Sequence, residues 1–511
     1  MTEATDLGGT LHAWADRFAD RPAVIDAEAT LTFSALDRAA DDWAAALVGA
    51  GCAGRHVGLL GANGAAWLAA AFGAWRAGAT LVPISTFVTA RELGEILEDA
   101  ELAALIMQPR LHSHDYAAML QAQPPSQRPQ HQFPLRVEAP QAGAPAVSEA
   151  SAPNRQVDPE AIAAILYTSG TTGRAKGVML SHRAILTTVR PTAARGGLGP
   201  DDALLSTLPL FWVAGLVIRA LPTLASGCAL ILVERFTPEL VLATLRRHRP
   251  TALHLRPPQI GQLLSHPDFD PALLAHVRRG GGRIEWFQPY LDAGSTWLIT
   301  GYGMTETAGY VTALDCRDPP EVRRTGIGSP LPGVEIHIMD AAGQRCGPGI
   351  TGEVRVRAPG LFSGYHRQPP GTALDADGFL RTGDLGHIDA AGQFHFSGRS
   401  KDLLRVKGIN VSPAEVEAVL ASHPAVDAAY VVGLPPDALE QEIVALVATR
   451  GDAPLPEAEL RALATDALSH YKRPARYVSV RHGDVPLSGT AKPVRARLAE
   501  LAARRVGSDL D

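Results

Sequence analysis

Short apolar runs alternate with amphipathic segments through the N-terminal part of the chain. Residues 57–61 and 80–83 have the composition of buried strands, and residues 65–77 between them have the apolar spacing of a helix. Strands that alternate with helices of this length form βαβ units, in which a parallel sheet is covered by helices on both faces. The sequence therefore predicts the α/β fold class, with βαβ-type sheets in a large N-terminal domain.

The composition changes at further points along the chain. Residues 121–154 are rich in Gln, Pro, Ala and Ser and lack apolar periodicity, which predicts a surface connection. Short strand-like runs separated by Gly, Pro and Asp turns indicate a β-rich subdomain at about residues 326–399. A helix-like run followed by strand-like runs then indicates a separate α+β domain. We predict an N-terminal domain at residues 1–400 and a small C-terminal domain at residues 401–511.

Bulk properties narrow the functional class. A length of 511 residues exceeds one ordinary hydrophobic core and predicts a multi-domain enzyme. The net charge of −6, without a Lys- or Arg-rich run, argues against nucleic acid as a partner. The cysteines lack CxxC spacing and the N terminus lacks the pattern of a signal peptide, so a cytoplasmic location is expected. Residues 212–233 are apolar but contain Arg219 and Pro222, which predicts a buried helix and strand rather than a membrane span.

A glycine- and hydroxyl-rich loop ends one of the predicted strands. Residues 167–177 are Tyr-Thr-Ser-Gly-Thr-Thr-Gly-Arg-Ala-Lys-Gly, between a buried apolar run and a helix predicted to begin at Ser181. Glycines let backbone N–H groups approach a phosphate, hydroxyls add donors, and Lys176 adds a positive charge, which together favour ATP as the ligand. A P-loop NTPase is disfavoured, because Lys176 precedes Gly177 and no Ser or Thr follows before Ser181.

Lysine is scarce in this chain. Lys and Arg together total 47, and lysine occurs only at Lys176, Lys401, Lys407, Lys472 and Lys492. A chain that uses arginine for generic surface charge is expected to keep lysine where a compact ammonium group is needed. Each lysine is therefore a site candidate, and compositional drift with accidental survivors is the alternative.

Several motifs, in order, resemble those of the adenylate-forming superfamily, which contains acyl- and aryl-CoA synthetases, adenylation domains and luciferases. They lie at residues 167–177, 209–215, 301–306, 382–384, 398–402 and at Lys492. The resemblance covers nearly the whole chain. It favours the acyl- and aryl-CoA synthetase branch, because Met304 stands where peptide-synthetase domains typically have proline. It also implies that the small C-terminal domain is mobile.

The resemblance implies catalytic roles for a few residues. Lys492 is expected to hold the substrate carboxylate against the α-phosphate of ATP and to stabilise charge on the transferring phosphorus. Glu306 is the expected ligand of Mg²⁺, a hard cation that bridges ATP phosphates, and Thr305 beside it is expected to face the α-phosphate. Lys492, Glu306 and Thr305 are thus the expected catalytic residues.

The resemblance also implies how the nucleotide is bound. Tyr302 is expected to stack on adenine, while Asp384 accepts the ribose hydroxyl protons and Arg399 reaches the ribose or a phosphate. The glycine run at 280–282 is expected to let backbone approach the base and the acyl group. The full set of expected ATP- and AMP-binding residues is Thr168, Ser169, Gly170, Thr171, Thr172, Gly173, Lys176, Gly280, Gly281, Tyr302, Gly303, Met304, Thr305, Asp384, Arg399 and Lys492.

An acyl pocket and a CoA-side segment follow from the same resemblance. The expected acyl-pocket residues are Trp212, Gly282 and Gly301, and the expected hinge and CoA residues are Lys401, Lys407 and Gly408. Three positions depart from the family pattern. Trp212 stands where histidine is common, Arg283 replaces a proline, and Ala491 replaces the glycine before the catalytic lysine. The first two departures put transfer of an aryl-specificity rule in doubt, and ordinary core packing is the alternative role for Trp212.

The expected reaction is that of an AMP-forming acyl-CoA ligase. A carboxylic acid and MgATP form acyl-AMP and pyrophosphate, and the thiol of coenzyme A then displaces AMP, so ATP, Mg²⁺ and coenzyme A are the expected cofactors and co-substrates. Transfer to a carrier-protein pantetheine arm, and a non-catalytic nucleotide-binding regulator, are the alternatives. The identity of the acid, fatty or aryl, and the oligomeric state, with a homodimer as one candidate, are left open by the sequence.

Overall fold

The computed structural model describes residues 4–138, 157–169, 175–281, 296–297, 300–369, 371–406, 409–435, 441–450, 453–487 and 493–508. Numbered along the chain, the strands are β1 (Pro22–Ile25), β2 (Thr30–Thr32), β3 (His56–Leu60), β4 (Thr80–Ile84), β5 (Ala104–Met107), β6 (Arg110–Leu111), β7 (His114–Asp115), β8 (His131–Pro134), β9 (Ile162–Ser169), β10 (Ala175–Ser181), β11 (Ala203–Ser206), β12 (Ala229–Leu232), β13 (Ala252–His254), β14 (Arg279–Gly281), β15 (Thr296–Trp297), β16 (Gly301–Met304), β17 (Gly309–Ala313), β18 (Ser329–Pro330), β19 (Glu335–Met339), β20 (Gly352–Arg357), β21 (Gly364–Tyr365), β22 (Leu380–Ile388), β23 (Phe394–Arg399), β24 (Leu404–Val406), β25 (Ile409–Val411), β26 (Val426–Leu434), β27 (Glu442–Thr449) and β28 (Arg476–Ser479).

The α-helices are α1 (Leu7–Phe18), α2 (Phe33–Gly49), α3 (Ala65–Arg76), α4 (Ala90–Ala100), α5 (Tyr116–Gln121), α6 (His182–Gly196), α7 (Val213–Gly215), α8 (Leu221–Ala225), α9 (Pro238–His248), α10 (Pro257–Leu264), α11 (Pro320–Thr325), α12 (Pro413–Ala421), α13 (Glu457–Ala467) and α14 (Arg495–Ser508). A π-helical turn at Leu216–Ala220 joins α7 to α8. In the described part of the chain, every helix is too short or too polar to cross a bilayer.

The chain divides into two compact units. The first contains Met1–Leu255, Ala272–Glu335 and Arg357–Leu380, and the second contains Arg256–Pro271, Ile336–Val356 and Arg381–Asp511. The second unit therefore combines about half of the predicted β-rich subdomain with the C-terminal residues. The functional boundary expected at residue 400 stays a prediction.

The first unit contains two seven-stranded sheets. One has the order β15-β14-β13-β11-β12-β1-β2 and the other has the order β21-β10-β9-β4-β3-β5-β8. Most neighbours are parallel, as the βαβ pattern predicts, for example β3 with β4 and β11 with β13. The exceptions lie at the edges, where β2 pairs antiparallel with β1 and β10 pairs antiparallel with β9 and β21. The α/β class is confirmed, with mixed rather than purely parallel sheets.

Helices α2 and α3 carry the bulkiest part of the core of this unit. Their fully buried large side chains are Phe33, Trp43, Trp67, Phe72 and Trp75. The same apolar cluster includes Val24 and Leu230 of one sheet and Val57 and Leu81 of the other. Helix α3 is buried almost all round, as its Ala-rich composition requires, because an apolar helix needs contacts on every face.

One segment differs from its sequence-based description. The Gln- and Pro-rich connection predicted at residues 121–154 contains a short strand, β8, which pairs in parallel with β5 at the edge of a sheet. Its residues, His131 to Pro134, include only one large apolar side chain, so the local pattern gives no strand signal. The pairing is supplied by the neighbouring strand, and residues 139–156 lie outside the described part of the chain.

A buried ion pair holds α3 against α1 and α2. The Arg76 guanidinium pairs with Asp37, lies 2.7 Å from an Asp41 carboxylate oxygen and donates to the backbone carbonyl of Gly8. Removing one partner of a buried pair leaves the other charge uncompensated.

We expect Arg76→Ala to lower the free energy of unfolding by about 3 kcal/mol in urea denaturation, because the buried Asp37 would lose its guanidinium partner and keep only its contact with His12 at 3.0 Å. Arg55→Ala, at an exposed arginine of the same unit, is the matched control and should change stability little. Equal denaturation midpoints for the two variants would contradict this prediction.

The second unit combines several small sheets with helices. The antiparallel pair of β22 with β23 belongs to a four-stranded sheet with the order β19-β20-β22-β23. C-terminal to it, β26, β27 and β28 form a three-stranded sheet that packs against α12 and α14. The helix-like run predicted for the C-terminal domain is confirmed as α12, and the strand-like runs that follow it are confirmed as β26 and β27.

Candidate active site

The strands that flank the glycine-rich segment pair with each other as a β-hairpin. Strands β9 and β10 are antiparallel, with Lys176 opposite Thr168 and Ala175 opposite Ser169. The expected order of strand, loop and helix is therefore wrong in one respect, because a second strand separates the loop from α6. Val178 and Leu180 alternate into the core, and this period of two favours a strand. The loop residues Gly170, Thr171, Thr172 and Gly173 lie outside the described residues.

The helix after this hairpin begins where the sequence predicts. The Ser181 hydroxyl oxygen accepts a hydrogen bond from the Ala184 backbone N–H at 3.1 Å, which is the N-cap geometry. The cap fixes the end of β10.

Glu306 lies on a short turn after β16. The 3₁₀ turn spans Thr305–Thr307, and the Thr307 hydroxyl oxygen accepts from the Met304 backbone N–H at 3.0 Å. The turn closes with Ala308 at a φ of 49°. The Glu306 backbone carbonyl accepts from the Phe362 N–H at 2.9 Å, which anchors the turn to the segment before β21. Glu306 itself is partly buried, as is Thr305 beside it.

Tyr365 connects the glycine loop to Glu306. Its hydroxyl donates to Glu306 Oε1 at 3.0 Å, and Lys176 Nζ lies 5.3 Å from the centre of its ring. Strand β21 holds the residue in place by pairing Tyr365 with Val178 of β10. Burial, and then the neighbouring Glu306 carboxylate, raise the pKa of Tyr365, so the phenol stays protonated at neutral pH. Sequence reasoning missed this residue, because a lone Gly-Tyr pair carries no recognisable signal.

Two glycines of β16 allow a close approach of backbones. A Cβ at Gly303 would lie 1.8 Å from the Gly309 carbonyl oxygen, and one at Gly301 would lie 2.2 Å from the Thr312 carbonyl oxygen. Glycine is therefore required at both positions. Between them, Tyr302 is buried and its N–H donates to the Thr312 hydroxyl at 3.2 Å. These contacts hold β16 against β17, and the Glu306 turn follows β16 directly in the chain.

The glycine run at 280–282 begins in a sheet. Gly280 and Gly281 end β14, where they pair in parallel with Leu253 and His254 of β13. The carboxyl ends of β11, β13 and β14 meet at one sheet edge, which is where open α/β sheets bind ligands. Gly282 and Arg283 lie outside the described residues.

Trp212 belongs to an aromatic cluster. Its ring centre lies 5.4 Å from that of Phe211 and 6.2 Å from that of Phe87, and Phe87 is 48% exposed. Trp212 Nε1 is shielded from solvent and has no hydrogen-bond partner among the residues that the structure describes. An unpaired buried donor is costly, which favours a ligand or water at this position over simple core packing.

In the second unit, Asp384 and Arg399 lie directly opposite each other on β22 and β23. Arg399 Nε is 3.0 Å from Asp384 Oδ1, and the Asp384 side chain is only 4% exposed. The Thr382 hydroxyl accepts from the Asp384 N–H at 3.0 Å and donates to the Val354 carbonyl, which explains threonine in the Thr-Gly-Asp motif. The register of β22 and β23 thus brings together two residues that are expected to bind ATP.

We expect Asp384→Asn to raise the KM for ATP about tenfold or more, since an amide cannot accept two ribose hydroxyl protons as a carboxylate does. Asp389→Asn is the matched control on the turn between β22 and β23 and should leave this KM unchanged. An unaltered KM in Asp384→Asn, measured by pyrophosphate release, would remove Asp384 from the nucleotide site.

Some of the remaining candidate residues are described by the structure and others are not. Lys401 lies in the turn Ser400–Asp402, where β23 leads into β24. Lys407, Gly408, Ala491 and Lys492 lie outside the described residues. Lys472, the least specific of the lysine candidates, pairs with Glu415 at 2.6 Å, and this contact is sufficient to account for it structurally.

The chemistry around Glu306 fits Mg²⁺. Its Oε1 accepts from Tyr365, and Oε2 has no hydrogen-bond partner among the described residues, which leaves an oxygen for a hard cation. The described residues contain no cluster of three or more His, Cys, Asp or Glu side chains that could hold a metal. Mg²⁺ commonly takes only one or two carboxylates and completes its shell with phosphates and water. A single glutamate next to a phosphate loop is consistent with that mode.

Comparison with known proteins identifies the family. The AMP-binding enzyme family matches residues 11–366, and the AMP-binding enzyme C-terminal domain matches residues 415–492. A 3-(7a-methyl-1,5-dioxo-octahydro-1H-inden-4-yl)propanoyl:CoA ligase from Mycobacterium tuberculosis is 34% identical over 503 residues, covering 94% of this chain and 96% of that protein. Sulfoacetate–CoA ligase from Cupriavidus necator is 31% identical over 504 residues, covering 96% and 97%.

A solved structure supports the same relationship. ATP-bound MatB from Rhodopseudomonas palustris is 27% identical, with a TM-score of 0.81 over 97% of this chain and 98% of that one. The similarity to these enzymes extends over nearly the whole chain and includes both matched domains. The chain therefore belongs to the AMP-binding enzyme family, in its acyl- and aryl-CoA synthetase branch, and is an ATP-dependent acid–thiol ligase.

Proposed function

We propose that the chain binds MgATP at the hairpin tip and the Glu306 turn, and that it forms an acyl adenylate there before thioester formation. The observation that carries the proposal is the convergence of Lys176 and Glu306 on Tyr365. A cation from the phosphate loop and a carboxylate suited to Mg²⁺ are thereby held beside each other without neutralising one another. Such an arrangement suits a triphosphate carrying a divalent cation.

The roles follow from charge and position. The loop at 168–173 and Lys176 grip the β- and γ-phosphates, which leave together as pyrophosphate. Lys492 holds the substrate carboxylate at the α-phosphorus, with Thr305 beside it. Bound at Glu306, Mg²⁺ supplies Lewis-acid stabilisation of the phosphate charge. Asp384 and Arg399 bind the ribose.

The remaining assignments concern the nucleobase, the acid and the thiol. Tyr302 and the backbone of residues 280–281 and 303–304 hold the adenine. Trp212, Gly282 and Gly301 line the acyl pocket. Trp212 Nε1–H has no hydrogen-bond partner within the described part of the chain, which favours an acid with a hydrogen-bond acceptor. Lys401 is the hinge, and Lys407 with Gly408 lines the path of the coenzyme A pantetheine. Splitting the reaction converts an unreactive carboxylate into a mixed anhydride that a thiol attacks readily.

A panel of acids tests this proposal. Pyrophosphate release is measured with fatty, aryl and alicyclic acids, with and without coenzyme A, and thioester is followed by mass spectrometry. We expect acid-dependent release of pyrophosphate with at least one acid, and thioester only when coenzyme A is present. Adenylate without thioester would favour a carrier-protein thiol as the acceptor. No release with any acid would favour a nucleotide-binding regulator. Sedimentation of the same sample distinguishes a monomer from a homodimer.

A further inference from the structure

The charges at the candidate phosphate site are separated by one tyrosine. Lys176 Nζ lies 5.3 Å from the centre of the Tyr365 ring, and the hydroxyl at the other end of that ring donates to Glu306 Oε1 at 3.0 Å. Within the described residues, neither Lys176 nor Glu306 forms an ion pair. Lys176 and Glu306 therefore each contact the tyrosine rather than each other.

A direct ion pair between these residues would work against nucleotide binding. MgATP needs the ammonium for a phosphate and the carboxylate for the cation, so it would first have to break the pair. In a partly buried site, separating opposite charges costs much more than it does in water. A phenol and a ring face hold the two groups more weakly and without neutralising them.

The backbone fixes Tyr365 in this position from two sides. Strand β21 pairs it with Val178 of β10, and the next residue, His366, donates its N–H to the Gly177 carbonyl at 2.7 Å. The Phe362 N–H donates to the Glu306 carbonyl, and the Phe362 ring lies 4.9 Å from the Tyr365 ring. The same short segment thus contacts both the strand of Lys176 and the turn of Glu306.

We propose that Tyr365 is a positioning residue for magnesium. Its hydroxyl orients the Glu306 carboxylate so that Oε2 faces the cation, and its ring keeps Lys176 free for a phosphate. This inference rests on the proposed function, since it requires Glu306 to be the metal ligand. Hydrogen bonds from outer residues fix the orientation of metal-binding carboxylates, and losing one weakens metal binding about 10–100-fold.

Nucleotide binding at a series of Mg²⁺ concentrations tests the inference without turnover. The probe is α,β-methylene-ATP, which cannot form an adenylate, and binding is followed by calorimetry on the full-length protein. In Tyr365→Phe we expect the Mg²⁺ concentration for half-maximal binding to rise about tenfold or more. At saturating Mg²⁺ the affinity should stay close to that of the unchanged protein, because the ring still faces Lys176.

Two further variants distinguish the effect of the Tyr365 hydroxyl from the effect of its ring and from any effect on folding. Tyr365→Leu loses the ring as well, so its affinity should also fall at saturating Mg²⁺, by about threefold for one lost cation–π contact. Tyr116→Phe is the matched control. Its buried hydroxyl donates to the Thr86 carbonyl at 2.6 Å, and its loss should leave the Mg²⁺ requirement unchanged. Thermal unfolding of each variant checks that the fold is retained.

Glu306→Gln distinguishes failure of this inference from failure of the proposed function. A raised Mg²⁺ requirement in both Glu306→Gln and Tyr365→Phe supports the inference. A raised requirement in Glu306→Gln alone overturns the role of Tyr365 and leaves the proposed function intact. An unchanged requirement in Glu306→Gln overturns both, because Glu306 would not bind the metal.

Discussion

Lys492→Ala is expected to lower the rate of adenylate formation about 1,000-fold, because charge that develops at the transferring phosphorus would lose its positioned cation. Positioning of the attacking carboxylate would be lost with it. ATP should still bind, since the phosphate loop, Glu306 and Asp384 are unchanged. Acid-dependent pyrophosphate release measures the first effect, and calorimetry with ATP measures the second.

Lys472→Ala is the matched control for this variant. Lys472 belongs to the same unit and pairs with Glu415 at 2.6 Å, so its removal takes away one lysine charge without touching the proposed chemistry. Adenylate formation should then stay near normal. Near-normal pyrophosphate release from Lys492→Ala would show that Lys492 is not the catalytic lysine.

Glu306→Gln is expected to lower the rate of adenylate formation about 100-fold and to raise the requirement for Mg²⁺. An amide oxygen carries no net charge and is a weaker ligand for a hard cation than a carboxylate. The Tyr365 hydroxyl would still find an acceptor, so the turn at Thr305–Thr307 should keep its shape. The initial rate of pyrophosphate release is measured across a range of Mg²⁺ concentrations at saturating ATP and acid.

Glu28→Gln is the control for the loss of one carboxylate charge, because Glu28 is exposed and lies on the turn between β1 and β2. It should match the unchanged protein in rate and in Mg²⁺ requirement. A Glu306→Gln variant with an unaltered Mg²⁺ dependence would show that the metal is bound elsewhere. In that case the proposed role of Tyr365, which is to position a magnesium ligand, would be wrong as well.

Local sequence patterns were sufficient to predict several of the helices and strands and to identify the family. The helix α3 and the strands β3 and β4 follow from periodicity, because side-chain burial on one element repeats at short sequence spacing. The glycines, hydroxyls and lysine of residues 167–177 favour ATP as the ligand, and the resemblance of the ordered motifs to the adenylate-forming superfamily indicates an ATP-dependent enzyme. The family assignment is confirmed by the matches over both domains.

The same local patterns could not predict contacts between segments that are far apart in the chain. Strand β8 has almost no apolar signal and exists because β5 offers it a pairing edge. Strand β10 has an alternating pattern, but the antiparallel return that makes the loop a hairpin depends on pairing with β9 and β21. Tyr365 is far from Lys176 and Glu306 in the chain, and only the pairing of β21 with β10 brings it between them.

The sequence by itself determined the α/β class and the family, and it predicted the residues that bind ATP, since these depend on short-range periodicity and on motifs of a few residues. The tertiary structure decided which of those residues meet. It placed Asp384 opposite Arg399 by strand register and put Tyr365 between a lysine and a glutamate. The reason is that strand pairing and charge separation are properties of segments far apart in the chain, whose register is set by the packed core rather than by local composition.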